Sequence, residues 1–266
     1  MKKMKKVILT GMAAALLFTG NVSAAGLFGF GGSGRIEGDG FDSPEEAVTV
    51  YLDGLAHHDI KEMMSAFAVE TYAENYDLER YLERMQCYIP TNKYIPTISD
   101  FSLELNVEQR RSDVINLIRS HYLVLTYSDV VLGEDALTVV QMEDNDSTEE
   151  FMDSLFVSDD TSYLDEIEFD GTFIDPASLH EQYASENNRN NMANSAKICN
   201  ADELVSTACR FSTEKGEFLL CLDAVRYGKR WYLSAGSSNI AILLGINSQL
   251  YGMCPLTDDY IYDLLN

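Results

Sequence analysis

Between Glu203 and Ala235 three apolar, β-branched and aromatic stretches follow one another, separated by two short glycine-containing turns. Glu203–Ser212 leads through Thr213-Glu214-Lys215-Gly216 into Glu217–Arg226, and Gly228-Lys229 leads into Arg230–Ala235. Glycine supplies the backbone freedom that tight hairpin turns require, so the pattern predicts an antiparallel meander. The apolar run Ile240–Ile246 that follows reads as a closing helix or packed tail.

The first half reads as helical. Ser43-Pro44-Glu45-Glu46 is a helix start: Ser43 is the N-cap, Pro44 occupies the first turn where its missing N–H costs nothing, and Glu46 completes a capping box. Ala47, Val48, Tyr51, Leu52 and Leu55 then recur at helical spacing. Near His57-His58 the helix ends, and Asp59, with Glu62 three residues on, starts a second one. Its stripe is Ile60, Met63, Met64, Phe67 and Ala68. A third helix spans about Asp77 to Gln86, Pro90 and Pro96 bound a loop, and a fourth helix covers Val107 to Tyr127. On that fourth helix Val107, Val114, Ile115, Ile118, Tyr122 and Leu125 form one side, and Arg110, Arg111 and Arg119 are expected on the other.

From Ser120 to Asn188 there is no Lys or Arg, against 18 acids. Val130–Val140 and Tyr163–Ile174 are candidate strands within this stretch, and Asp175-Pro176 starts a further, weakly patterned helix. Asp144-Asn145-Asp146 begins like a calcium loop, but an EF-hand needs Gly at its sixth position and a bidentate Glu at its twelfth. Those positions are Glu149 and Leu155, so no EF-hand is predicted.

Residues 1–24 read as a signal peptide cleaved near Ala24: Lys2, Lys3, Lys5 and Lys6, an apolar run from Val7 to Phe18, then Val22-Ser23-Ala24-Ala25. The run is short of the ~20 residues a membrane span needs. Asn21 stands where a lipoprotein signal has Cys, so a freely soluble form, secreted or associated with the cell envelope, is expected. Without residues 1–24 the chain holds 15 basic against 43 acidic residues. Such a balance argues against nucleic acid and against electrostatic docking to anionic lipid. Seven glycines between 26 and 40 make residues 25–42 read as a flexible linker. Five cysteines, 87, 199, 209, 221 and 254, form no C-x-x-C pair.

Ser43-Pro44-Glu45-Glu46-Ala47-Val48, Asp59 with the Ile60–Phe67 helix, and the closing Arg226-Tyr227-Gly228-Lys229-Arg230-Trp231-Tyr232 together resemble the NTF2-like (SnoaL-like) superfamily. The likeness is greatest to its exported or lipoprotein-type members from Gram-positive bacteria. It implies an α+β fold: a cone in which N-terminal helices pack on a curved antiparallel sheet. Residues 43–250 would be one elaborated domain, with a helical and acidic insertion at about 91–163 and a C-terminal tail at 251–266. The resemblance also implies a pocket between sheet and helices, and it is compatible with a homodimer formed through the sheet.

Enzymes of such folds use a pocket Asp as general base, and a base must be buried enough for its pKa to rise. Asp223, in Leu219–Val225, is the candidate. With the turn centred near Lys215, Asp223 lies across from Thr207, on the face of Cys209 and Cys221. Thr207, Cys209, Cys221, Asp223 and Trp231 are then the pocket candidates. The plainer alternative has Asp223 in solvent or paired with Arg210 or Arg226. The same register sets Cys209 opposite Cys221, where a disulfide and two buried thiols both fit. His57-His58-Asp59 could be read as ligands, but a metal site needs three or four convergent groups, so no metal and no cofactor is expected. The expected function is a non-enzymatic module that binds a small molecule or a protein partner at the bacterial surface. The alternative is a small-molecule isomerase, cyclase or hydrolase with Asp223 as base. A third reading is a docking protein whose cone is filled by its own side chains.

Overall fold

A computed structural model describes residues 35–86, 93–131, 164 and 167–256. The signal segment, residues 25–34 of the linker, Cys87, Pro90, the candidate strand beyond Val131, the 143–150 acidic run and residues 257–266 lie outside it. The fold is α+β, with helices packed on an antiparallel sheet.

Helix α1 (Pro44–Ala56) starts as its sequence predicts: Ser43 Oγ accepts from the Glu46 N–H at 3.1 Å. The Glu46 carboxylate reaches back one residue further than a capping box, to the Asp42 N–H at 2.8 Å. All five expected apolar residues of α1 are buried. Helix α2 (Ile60–Ser65) is capped by Asp59, which accepts from Lys61 and Glu62. The Asp59 N–H goes instead to the Gly54 carbonyl at 2.8 Å. Gly54 lets the two helices meet: a Cβ there would lie 2.8 Å from the Met63 nitrogen. Helix α2 stops before Phe67, which forms a bridge to Leu233. Helices α3 (Glu70–Asn75) and α4 (Leu78–Met85) follow, and no residue of α4 is buried.

The long helix α5 (Asp100–Val131) begins seven residues earlier than its apolar pattern suggests. Val114, Leu117 and Leu125 have no exposure and sit in the main core with Tyr51, Phe67 and Leu220. Arg110 is only 2 % exposed and faces inward, contrary to expectation.

After α5 the described chain resumes along the edge of the sheet. Among its described residues the candidate strand 163–174 is represented by two isolated bridges, Glu168 to Ser212 and Phe173 to Cys209. Asp175 caps α6 (Pro176–Leu179), and α7 (Glu186–Ile198) follows a short 3-10 turn. The meander forms as predicted: β1 (Glu203–Thr213), β2 (Gly216–Tyr227) and β3 (Arg230–Leu233). Helix α8 (Asn239–Leu243) fits the closing-helix reading. Strand β4 (Met253–Pro255) pairs antiparallel with β2 beyond β3, so residues 253–255 are a strand and not a tail. Gly252, at φ +88, makes this approach possible, since a Cβ would fall 2.0 Å from the Cys221 carbonyl oxygen.

Both faces of the sheet are covered. Phe211, Phe218, Leu220, Leu222 and Leu233 pack against α1 and α5. On the reverse face Ala208, Leu219 and Cys221 pack against Leu179, Ile240 and Ala241. This is why Phe218–Leu222 is an unbroken apolar run instead of an alternating one: a strand buried on both sides has no polar face. Each of these large side chains stabilises the fold by roughly 1.5–3 kcal/mol.

Residues 35–42 belong to the folded body, a correction to their assignment as linker. The Phe41 N–H and carbonyl pair with Trp231 at 3.0 and 2.9 Å, and Gly38 donates to the Ser65 carbonyl. Glu37 is 5 % exposed and accepts from the N–H groups of Val69 and Thr71 at 2.7 and 2.9 Å, capping α3. Glu70 reciprocates, accepting from Ile36 and Glu37 at 3.0 and 3.1 Å.

Candidate functional site

The two-residue turn at Glu214-Lys215 pairs Thr213 with Gly216, and this decides the site. Asp223 stands opposite Ser206 rather than Thr207, and Cys221 opposite Ala208 rather than Cys209. Directly paired residues share a face and neighbours alternate. The five pocket candidates therefore divide. Thr207, Cys209 and Trp231 belong to the α1/α5 side, and Cys221 and Asp223 to the reverse side. Cys209 and Cys221 point to opposite faces of the sheet, and Cys199, Cys209, Cys221 and Cys254 are all free and buried. The Cys209–Cys221 bridge is thereby excluded. Burial pushes the Cys209 and Cys254 thiols up to about 12, so they pack as neutral small groups. Thr207 is spent locally, its hydroxyl donating to the Leu222 carbonyl at 2.9 Å. Trp231 lies at the edge of the main core, with the Arg226 guanidinium 5.6 Å from its ring centroid.

Asp223 neither faces solvent freely nor pairs with Arg210 or Arg226. Arg210 goes to Glu217 at 2.5 Å and Arg226 to Glu203 at 3.1 Å. The Asp223 carboxylate instead accepts from Ser206 Oγ at 2.6 Å, Ser238 Oγ at 2.8 Å and the Asn239 N–H at 3.0 and 3.1 Å. Asn239 opens α8, whose own N-cap residue Ser238 makes no side-chain capping bond. Asp223 thus caps that helix from a neighbouring strand. Burial raises its pKa, partly offset by hydrogen bonds from Ser206, Ser238 and Asn239. Ser206 also receives the Ile240 N–H at 3.3 Å, and its own N–H donates to Tyr183 Oη at 2.9 Å. Asn188 and Asn239 exchange amide hydrogen bonds at 2.9 and 3.0 Å. The network clamps α7 and α8 to the sheet.

Two further buried polar groups were not visible as sites in the sequence. Tyr51 Oη is 2.7 Å from His121 Nδ1, and His121 Nε2 is 3.1 Å from the Tyr251 carbonyl oxygen. The carbonyl can only accept, so Nε2 carries the proton and Nδ1 accepts from Tyr51. Burial lowers His121 to about 4. Arg110 donates to the carbonyls of Ala68 and Ala235, both at 3.0 Å, and to Ser234 Oγ at 3.2 Å, while its guanidinium covers the Tyr72 ring at 3.9 Å. The available signal was the spacing that puts Arg110 on one helical stripe with Asn106, Val114 and Leu117.

Of the His57-His58-Asp59 group, His57 belongs to a cluster of metal-ligating groups among the described residues. Asp53, His57 and Glu62 bring ligand atoms within 4.8 Å of one another on the surface between α1 and α2. His57 Nδ1 already lies 2.8 Å from the Asp53 carbonyl oxygen, and Asp59 is engaged in capping α2. His180 Nδ1 accepts from the Gln182 N–H at 3.2 Å, capping its 3-10 turn.

Comparison with protein-family models gives no match, and no curated protein matches. Among solved structures the chain is similar to a cystatin-like protein from Ruminococcus gnavus ATCC 29149, at 13 % sequence identity and a TM-score of 0.44. The alignment covers 81 % of this chain and 45 % of that one, so this chain spans less than half the length of its neighbour.

Proposed function

We propose that this chain is an exported, non-enzymatic module of NTF2-like (SnoaL-like) type that docks a protein partner on its outer surface. The observation that carries this reading is the filling of both faces of the sheet by the chain's own side chains, where a binding or catalytic member of such a fold would keep an open pocket. Asp223 supports it, because its carboxylate is engaged as a cap: Oδ1 accepts from Ser206, Ser238 and the Asn239 N–H, and Oδ2 shares that N–H. A general base needs a lone pair aimed at substrate. The leader at residues 1–24 supports export, and the α1–α2 pair with the glycine-turn meander supports the family assignment. No helix among the described residues is long and apolar enough to cross a membrane.

Native mass spectrometry of residues 25–266, compared with the denatured mass, tests the proposal. A bare protein mass is expected. A reproducible excess mass that is lost on denaturation would mean a ligand-filled interior and would overturn it.

A further inference from the structure

At the start of α5 and in the loop that leads into it, four large apolar side chains close in sequence are exposed: Ile98 at 88 %, Phe101 at 69 %, Leu105 at 44 % and Ile95 at 39 %. An apolar surface group of this kind marks an interaction site when it is contiguous and held in place.

It is held in place by buried polar groups. Asn106, 1 % exposed, accepts from the Ile95 N–H at 2.9 Å and donates to the Ile95 carbonyl at 2.7 Å. Ser102, 5 % exposed, accepts from the N–H groups of Ile98 and Ser99 at 3.0 and 2.9 Å. The loop is therefore fixed with its isoleucines outward, and a partner would meet a surface already ordered. Fixed apolar anchors of this size are the kind that carry binding energy.

The flank gives the chemistry of the partner. Pro96 continues into a surface groove of about 640 Å³ that is also lined by Leu78, Leu82, Glu74, Glu79 and Glu83. Asp100 and Glu104 add exposed carboxylates on α5. Basic groups nearby are engaged: Arg80 pairs with Glu83 at 2.9 Å, and Arg84 donates to the Asn191 carbonyl and Ser195 Oγ. An apolar surface edged by carboxylates is complementary to an apolar segment edged by lysine or arginine.

We propose that the Ile95–Ile98–Phe101–Leu105 surface and the adjoining acidic groove bind a basic amphipathic segment, in helical form, of a partner protein. The inference rests on the docking function proposed above. Apolar anchors supply the affinity, and the carboxylates steer and orient the segment.

The probe is an amphipathic leucine–lysine peptide of about 18 residues, titrated by fluorescence anisotropy into residues 25–266, beside a counterpart with Glu replacing every Lys. The lysine peptide is expected to bind saturably and more weakly as salt rises, and the glutamate peptide not to bind. Ile98→Asp and Phe101→Asp should each weaken binding at least about tenfold. Both substitutions add negative charge, so simple charge attraction would strengthen binding instead. Equal or tighter binding by both variants, or no binding by the natural chain, overturns the proposal. So does a dimer in sedimentation that Ile98→Asp dissolves, because the occupant is then a second copy. An excess mass in the native spectrum would remove the docking function itself, whereas a bare mass with an indifferent peptide removes only this surface.

Discussion

Asp223 on β2 and Asn239 at the start of α8 are joined by hydrogen bonds of 3.0 and 3.1 Å from one backbone N–H to both carboxylate oxygens. This contact turns the residue best placed by sequence to be a catalytic base into a helix cap. The hydroxyls of Ser206 and Ser238 both donate to Oδ1, so the acid is held at the seam between sheet and reverse-face helices.

Acid sensitivity should come from His121. Its ordinary value of 6.5 falls to about 4 in the folded chain because burial opposes the charge. Between these values the unfolded chain binds a proton that the folded chain does not, so stability falls as pH drops from about 6.5 to about 4 and this contribution is constant below. The total is roughly 3 kcal/mol. Urea unfolding of the natural chain should show this slope, and His121→Phe should be less stable at pH 7 yet lose the slope.

Arg110 should be among the least replaceable residues. Removing it orphans the carbonyls of Ala68 and Ala235 and empties the space over Tyr72. Arg110→Ala is expected to cost about 3 kcal/mol or more. Arg110→Lys should recover only part of that, because an ammonium lacks the planar fork that spans the two carbonyls. Urea midpoints of the three proteins check both statements.

The exchange of carboxylates between Glu37 and Glu70 fixes residues 35–41 to α3. Glu37→Ala leaves the Val69 and Thr71 N–H groups without their acceptor and should cost about 1–3 kcal/mol. Hydrogen exchange is expected to quicken at residues 69–71 and along 35–41, with the meander unaffected.

Much of this fold was legible where the determinants are local. Ser43, Pro44, Asp59 and Asp175 begin helices by satisfying N–H groups within a few residues, and the turns at Glu214-Lys215 and Gly228-Lys229 close hairpins. The candidate site failed by one residue. A turn centred near Lys215 pairs 207 with 223, whereas the two-residue turn pairs 206 with 223, and a shift of one exchanges the faces. That shift separated Cys209 from Cys221 and gave Asp223 its serine partner. Partners distant in sequence were not legible at all: Glu37 with Val69, His121 with Tyr51 and Tyr251, and β4 with β2. Glycine content at 26–40 suggested a free linker, while the contacts that hold 35–42 come from residues far along the chain.

The corrected register predicts the thiol chemistry. Denatured without reductant, the protein should retain Cys199, Cys209, Cys221 and Cys254 as free thiols. Alkylation followed by peptide mapping should find no peptide joining 209 to 221.

Asp223 is structural, and a double-mutant cycle between Asp223→Asn and Ser238→Ala tests this most directly. Asp223→Asn should lower stability by about 1–3 kcal/mol, because a neutral amide weakens the cap and its NH2 group meets the Asn239 N–H as a second donor. The two substitutions should be coupled, with the double mutant less destabilised than the sum of the singles. An Asp223→Asn protein as stable as the natural one, with no coupling to Ser238, would mean that the carboxylate is not held by this network and would contradict the account.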